Sequence, residues 1–114
     1  MQWDTGDTAD ERFEAWQAGN PESAALLERV EAKKLPGDFE AALPVFEAGK
    51  DLSTRAASGK VLNAIGPVMP ELWGGSADLA ESNNTTIEGS PSFIPASRST
   101  ESWKGNPYGR VLHF

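Results

Sequence analysis

Cysteine is absent from the 114 residues, which excludes a disulfide scaffold, a thiolate metal site and a cysteine nucleophile together. There is one histidine, His113. It sits in a strand-like pattern with no nucleophile or second histidine at recognisable spacing, so a packing role is expected. No apolar run approaches the length of a membrane span. The opening MQWDTGDTADERFEAW is acidic and lacks the basic start and apolar middle of a signal peptide. Positive charge is also scarce: 10 Lys and Arg stand against 17 Asp and Glu, a net charge of −7. A general attraction to nucleic acid or to an anionic membrane is therefore not expected, and any phosphate must be held by a local arrangement. Trp3, Trp16, Trp73 and Trp103 are scattered without basic interleaving, which gives no stacking platform for nucleic acid. These absences make a cytoplasmic chain the expectation, and they leave little weight for the sequons at Asn83 and Asn84.

What is present suits a folded chain of one ordinary domain: 39% of residues are hydrophobic and 24% charged. Thr8 followed by Glu11 has the form of a capping box. It predicts a helix over residues 9 to 18, with Phe13 and Trp16 on one face and Gly19 as a left-handed stop. Asn20-Pro21-Glu22 is a second helix start. Leu26, Leu27 and Val30 form its stripe, and Lys33 and Lys34 lie where a helix end favours cations. Residues 35 to 53, punctuated by Pro36, Gly37, Pro44 and Gly49, read as a connector. The run TRAASGKVLNAIG places Ala57, Val61, Leu62 and Ile65 at helical spacing and ends at Gly66-Pro67; Asp51, Ser53 or Thr54 caps it. Leu72-Trp73 and GRVLHF read as short strands, separated by residues 80 to 109, rich in Ser, Thr, Asn, Gly and Pro. So long a loop in a compact domain signals function, disorder or a wrong assignment. The pattern also stops at Phe114 within an apolar strand, so the chain is expected to be a piece of something longer.

Two features carry chemistry. In ELWGGSADLAESNN, residues 71 to 84, an apolar push runs into a glycine pair, then Ser76, Asp78, Ser82 and Asn83. In α/β folds ligands bind beyond the carboxyl ends of strands, where glycine lets backbone approach them. The same residue types also make a solvated turn for purely local reasons. Arg55 lies in the first turn of a predicted helix, where the positive helix end opposes a cation but favours an anion. A guanidinium there can grip a phosphate with two parallel hydrogen bonds, and Ser82 can add a hydroxyl. The alternative is a surface arginine paired with Asp51 or with nothing.

The stretch from Lys50 to Asn84, KDLSTRAASGKVLNAIGPVMPELWGGSADLAESNN, resembles the start of the pyrimidine-binding domain of transketolase. Thr54-Arg55, Ser58, Pro70-Glu71-Leu72, the GGSADL core and Ser82-Asn83 fall in family order and spacing. The trailing residues to Phe114 are similar to the family as well, its actinobacterial members in particular. Residues 1 to 49 match less sharply, with LPGDFEAALP resembling the end of the preceding domain and its linker. The resemblance implies an α/β chain that is an incomplete piece of a thiamine diphosphate-binding fold. Residues 1–35 would be the last helices of the diphosphate-binding domain, 36–53 the linker and 54–114 the first part of the pyrimidine-binding domain.

It further implies transfer of a two-carbon ketol unit from a ketose phosphate to an aldose phosphate, with thiamine diphosphate and a divalent metal, Mg or Ca, in a homodimeric parent. Position by position, Arg55 and Ser82 correspond to binders of the sugar phosphate. Asp78 and Leu79 correspond to residues lining the cofactor cleft, and Gly74 and Gly75 would let the chain turn there. The family's catalytic Glu lies just beyond an ending like LHF, and its Gly-Asp-Gly metal motif lies upstream. Neither is in these residues, so the chain alone is expected to be inactive, with no metal ligand and no catalytic residue of its own. Other readings are a further thiamine-dependent transferase, such as a dihydroxyacetone or deoxyxylulose phosphate synthase, or a non-catalytic module binding an anion or a partner.

Overall fold

The computed structural model describes residues 6–114; Trp3 lies outside them. The chain forms two compact units, the first running to Pro36 and the second spanning Gly37–Phe114.

In the first unit α1 (Gly6–Gly19) is followed after one residue by α2 (Pro21–Glu31), and the two helices pack together. The helix is already formed at Gly6, so Thr8 lies inside it and not at its cap. Phe13 and Trp16 do share a face, with stacked rings 5.7 Å apart. Gly19 ends α1 without entering the left-handed region that had been expected of it. The reason is Asn20. It precedes α2 but makes no side-chain cap; instead its amide Nδ2 donates to the Trp16 carbonyl at 2.9 Å, closing the end of α1. With Pro21 next, no amide at that position needs a cap.

The end of α2 is a Schellman turn. Lys34 N donates to Arg29 O at 3.1 Å and Lys33 N to Val30 O at 3.0 Å. Lys33 takes the left-handed position at φ 56° that glycine fills at no steric cost. Lys33→Gly is therefore expected to stabilise the helix pair by about 1 kcal/mol. Thermal melts followed by helical circular dichroism check it, and an unchanged or lower midpoint would show that Lys33 is unstrained.

The second unit opens with a one-turn helix, α3 (Phe39–Ala42), inside the stretch read as connector. Next comes α4 (Thr54–Ile65), which packs against α3. Of the three possible caps, Ser53 is the one used: its Oγ accepts from Ala56 N at 3.3 Å. The helix ends at Gly66, as its sequence predicts.

β1 (Gly74–Ser76) and β2 (Val111–His113) form a parallel pair with Gly74 opposite Val111, Gly75 opposite Leu112 and Ser76 opposite His113. The first strand thus begins immediately after Leu72-Trp73, and the glycine pair is strand, not turn. The displacement follows from packing. An added Cβ on Gly75 would overlap the Leu112 carbonyl oxygen and lie 2.6 Å from its carbonyl carbon. Only glycine lets the two backbones pass this closely, so pairing settles on it and not on the bulky residues before it.

The connection between the strands is better ordered than a loop of Ser, Thr, Asn, Gly and Pro suggests. It contains α5 (Ala80–Asn83) and a single 3-10 turn (Ala96–Arg98). It also returns to the far edge of β2, where Phe93 N donates to Val111 O at 2.8 Å and Ser92 forms a parallel bridge to Val111. β2 is therefore central, flanked by β1 and by residue 92. The buried centre lies there: Val111, Ile87, Ala80 and Ser92. His113 has the packing role expected of it, stacking on Trp103 at 3.8 Å and holding Ser92 Oγ at 3.0 Å from its Nε2.

Candidate functional site

Arg55 is the second residue of α4 and is exposed at the positive end of that helix. Among the described residues it makes no ion pair, with Asp51 or with any other carboxylate. Nothing local thus balances its charge against the unfavourable dipole, and the guanidinium is free to meet an anion.

The segment 77–84 leaves the carboxyl end of β1. Asp78 is exposed, Leu79 is 58% exposed and Ala80 is buried. Ala80 anchors α5 inward, while the carboxylate and the isobutyl group before it are exposed. Ser82 is exposed on α5, and its hydroxyl donates to the Leu79 carbonyl at 3.2 Å. That leaves both oxygen lone pairs open, and the hydroxyl can rotate to donate to a ligand oxygen instead. Asp78 and Leu79 are thus neighbours on one strip beyond the sheet, and Ser82 lies one helical turn further on.

α4 and α5 pack against each other, which brings the elements carrying Arg55 and Ser82 side by side. Their contact borders a groove of about 620 Å³ lined by Ala56, Gly59, Lys60, Asn63, Glu81 and Asn84 among others. Arg55 and Ser82 lie beyond that lining. The residues that set the contact, Gly59 and Asn63, do not belong to the apolar stripe that sequence periodicity singled out. Gly59 is the buried residue of α4; Ala57, Val61, Leu62 and Ile65 are half-buried. The signal for them was present in the sequence as a stripe of Gly59, Asn63 and Gly66 at helical spacing.

Ser92 Oγ and His113 Nε2 lie 3.0 Å apart. Ser92 is 5% exposed and its backbone is tied into the sheet edge, so the pair holds the core together and offers no entry to a substrate.

No family model matches the chain. Individual proteins do. The chain is 59% identical over 103 residues to the transketolase of Mycobacterium tuberculosis, an alignment covering 90% of this chain and 15% of that protein. The Geobacillus stearothermophilus transketolase is 52% identical over 88 residues, 77% of this chain and 13% of the relative. Among solved structures, a Pichia stipitis transketolase in complex with sedoheptulose-7-phosphate superposes with a TM-score of 0.79 at 37% identity, covering 94% of this chain and 15% of that one. By sequence and by fold, the chain belongs to the transketolase family. It spans about 15% of the length of the Mycobacterium tuberculosis transketolase it matches. The resemblance first visible in GGSADL thus extends through nearly the whole chain, including residues before Lys50. The small parallel sheet and its helices are the transketolase architecture over this stretch. None of the described helices is long and apolar enough to cross a membrane.

Proposed function

We propose that these residues form one wall of a transketolase active site, in a parent that moves a two-carbon ketol unit from a ketose phosphate to an aldose phosphate. The observation that carries this reading is the pairing of α4 with α5. An unneutralised guanidinium at a helix start and an exposed serine hydroxyl sit on adjacent elements, the serine just past the carboxyl end of a strand. In this reading Arg55 and Ser82 hold the sugar phosphate, supplying the local positive site that a net charge of −7 requires. Asp78 and Leu79 face the cofactor. A half-exposed leucine beside an exposed carboxylate presents an apolar contact and a negative charge together, which suits a cationic aromatic ring. The donor set therefore fits the thiazolium part of thiamine diphosphate.

Thiamine diphosphate, when bound, supplies the electron sink for the transfer. This chain's residues orient and anchor: Leu79 packs, Asp78 sets the local charge, and Arg55 fixes the far end of the substrate by its phosphate. Among the described residues no three His, Asp or Glu side chains converge on a metal-binding position. In this reading the divalent metal, the diphosphate and the activating acid belong to other parts of the parent. Residues 1–35 then close the diphosphate-binding domain, 36–53 link, and 54–114 open the pyrimidine-binding domain. The isolated chain is inactive, and the parent is a cytoplasmic homodimer. Exposed Trp73, Phe93, Tyr108 and Leu79 support burial against further protein.

The test uses Mycobacterium tuberculosis transketolase with its matched 103 residues replaced by those of this chain. Arg55→Ala should raise KM for a phosphorylated ketose about ten- to hundredfold, the worth of a charge-assisted contact of about 1.5 to 3 kcal/mol. KM for an unphosphorylated ketose should stay within a factor of two. Equal rises for both substrates would remove the phosphate role from Arg55.

A further inference from the structure

From the contact between α4 and the segment after α5, we infer that Gly59 and Asn63 are positioning residues that set the spacing between the two phosphate-binding side chains. The inference rests on the assignment of Arg55 and Ser82 to the substrate phosphate. Those two residues lie on different helices, and α5 is only four residues long. So short a helix has no rigidity of its own and takes its position from what holds its ends. Buried Ala80 holds the first end. The second end is Asn84, which caps α5 in the left-handed conformation at φ 55° and ψ 44°.

Asn84 rests directly on Gly59. A Cβ built on Gly59 would lie 2.6 Å from Asn84 Cβ and 3.3 Å from its carbonyl oxygen. Gly59 is four residues along α4 from Arg55, one helical turn, and Asn84 is two residues from Ser82. One turn further, Asn63 pins the continuing chain with both ends of its amide. Its Oδ1 accepts from Glu88 N at 2.6 Å, and its Nδ2 donates to Gly59 O at 3.0 Å and Thr86 O at 3.4 Å. Gly66, the next residue on the same stripe, lets Ile87 close in; its Cβ would lie 2.6 Å from Ile87 Cγ2. Residues 84 to 88 are thus laid along bare helix backbone at both glycines, with a two-way clamp between them. Asn84 closes onto Gly59 with no room for a Cβ there, so any side chain at 59 pushes the end of α5 away from α4.

This spacing acts on substrate through Arg55 and Ser82 and touches no reacting atom. Its loss should therefore appear as weaker binding of the phosphate and not as slower chemistry. In the grafted enzyme, Gly59→Ala and Asn63→Leu should each raise KM for a phosphorylated ketose about tenfold, while kcat and the KM for an unphosphorylated ketose change less than twofold. Asn63→Asp keeps the acceptor for Glu88 N but sets a carboxylate oxygen against the Gly59 and Thr86 carbonyls, so it should recover only part of the loss. Hydrogen exchange at the Glu88 amide should speed up in Asn63→Leu and return towards the parent rate in Asn63→Asp, which reports on the clamp without any assay of turnover.

If Arg55→Ala is selective for phosphorylated substrate but Gly59→Ala and Asn63→Leu are not, the positioning role is overturned and the phosphate site stands. If Arg55→Ala is itself unselective, the phosphate site falls and takes this inference with it. Should Asn63→Leu fail to accumulate, Gly59→Ala and Asn63→Asp decide the matter by the same KM against kcat comparison. A fall in kcat equal for both substrates also overturns it.

Discussion

Gly75→Ala abolishes the pairing of β1 with β2, whereas Gly74→Ala, one residue away, is tolerated. The two glycines look equivalent in GGSADL, but their surroundings differ completely. A Cβ on Gly74 meets nothing within 4 Å. On Gly75 it overlaps the Leu112 carbonyl oxygen and lies 2.6 Å from the carbonyl carbon and 2.9 Å from the amide nitrogen of the same residue. These are backbone atoms of the paired strand, so no rotamer change relieves the overlap; the strands must part. The expected loss is about 3 kcal/mol, the upper end of overpacking penalties, which corresponds to more than a hundredfold faster amide exchange. The amides that report it are Gly74 N, bonded to Arg110 O at 3.1 Å, and Phe114 N, bonded to Ser76 O at 3.4 Å. Because Asp78 and Leu79 follow directly from β1, the grafted enzyme should also lose activity in Gly75→Ala and keep it in Gly74→Ala. Equal stability of the two variants would show that the close approach at Gly75 is not obligatory.

The same contrast explains which features could be read from sequence. Helix α4 was legible because its signals are local: Ser53 reaches Ala56 three residues on, and Gly66 closes the other end. β1 was misplaced because strand reading looks for side chains that pack on a sheet face. Here the pairing residues have no side chain at Gly74 and Gly75, and their register is chosen by Leu112, some forty residues away. The segment from Ala80 to Gly109 looked structureless for a related reason. Its order comes from long-range bonds, Ser92 to the edge of β2 and Asn63 to Thr86 and Glu88, for which polar composition is no guide. At the candidate site, the position of Arg55 at a helix start was conspicuous on electrostatic grounds alone. The roles proposed for Asp78 and Leu79 rest on resemblance, since a run of Ser, Asp and Asn is equally good turn chemistry; Ser82 stood out locally only as a hydroxyl that can join Arg55 at a phosphate. The Gly59–Asn63–Gly66 stripe was hidden because small and polar residues on a helix read as its solvent face, while in this fold they admit a neighbouring backbone.

A cation holds this arrangement together at its other end, and its removal should be the second most damaging change. Arg110 immediately precedes β2, and its guanidinium donates to three backbone carbonyls. Nη2 reaches Gly66 O at 2.8 Å; Nη1 reaches Met69 O at 2.7 Å and, less closely, Leu72 O at 3.5 Å. Gly66 caps the C-terminus of α4, where a positive charge is favoured by the helix dipole and by the free carbonyls. Arg110 O meanwhile accepts from Gly74 N. One residue thereby ties the end of α4, the bend that follows and the β1–β2 pair, and so fixes the helix carrying Arg55 relative to the strand leading to Asp78. Two short charge-assisted bonds with a third weak one make the expected cost of Arg110→Ala about 3 kcal/mol. For a unit of this size that lowers the melting midpoint by roughly 12 to 24 °C. Arg110→Lys should recover only part, because an ammonium group lacks the planar fork that spans separated carbonyls. Thermal melts of the two variants, with exchange rates at Met69 and Gly74, distinguish the outcomes. A full recovery by lysine would mean that charge at the helix end suffices and that the fork bridging Gly66 to Met69 contributes nothing.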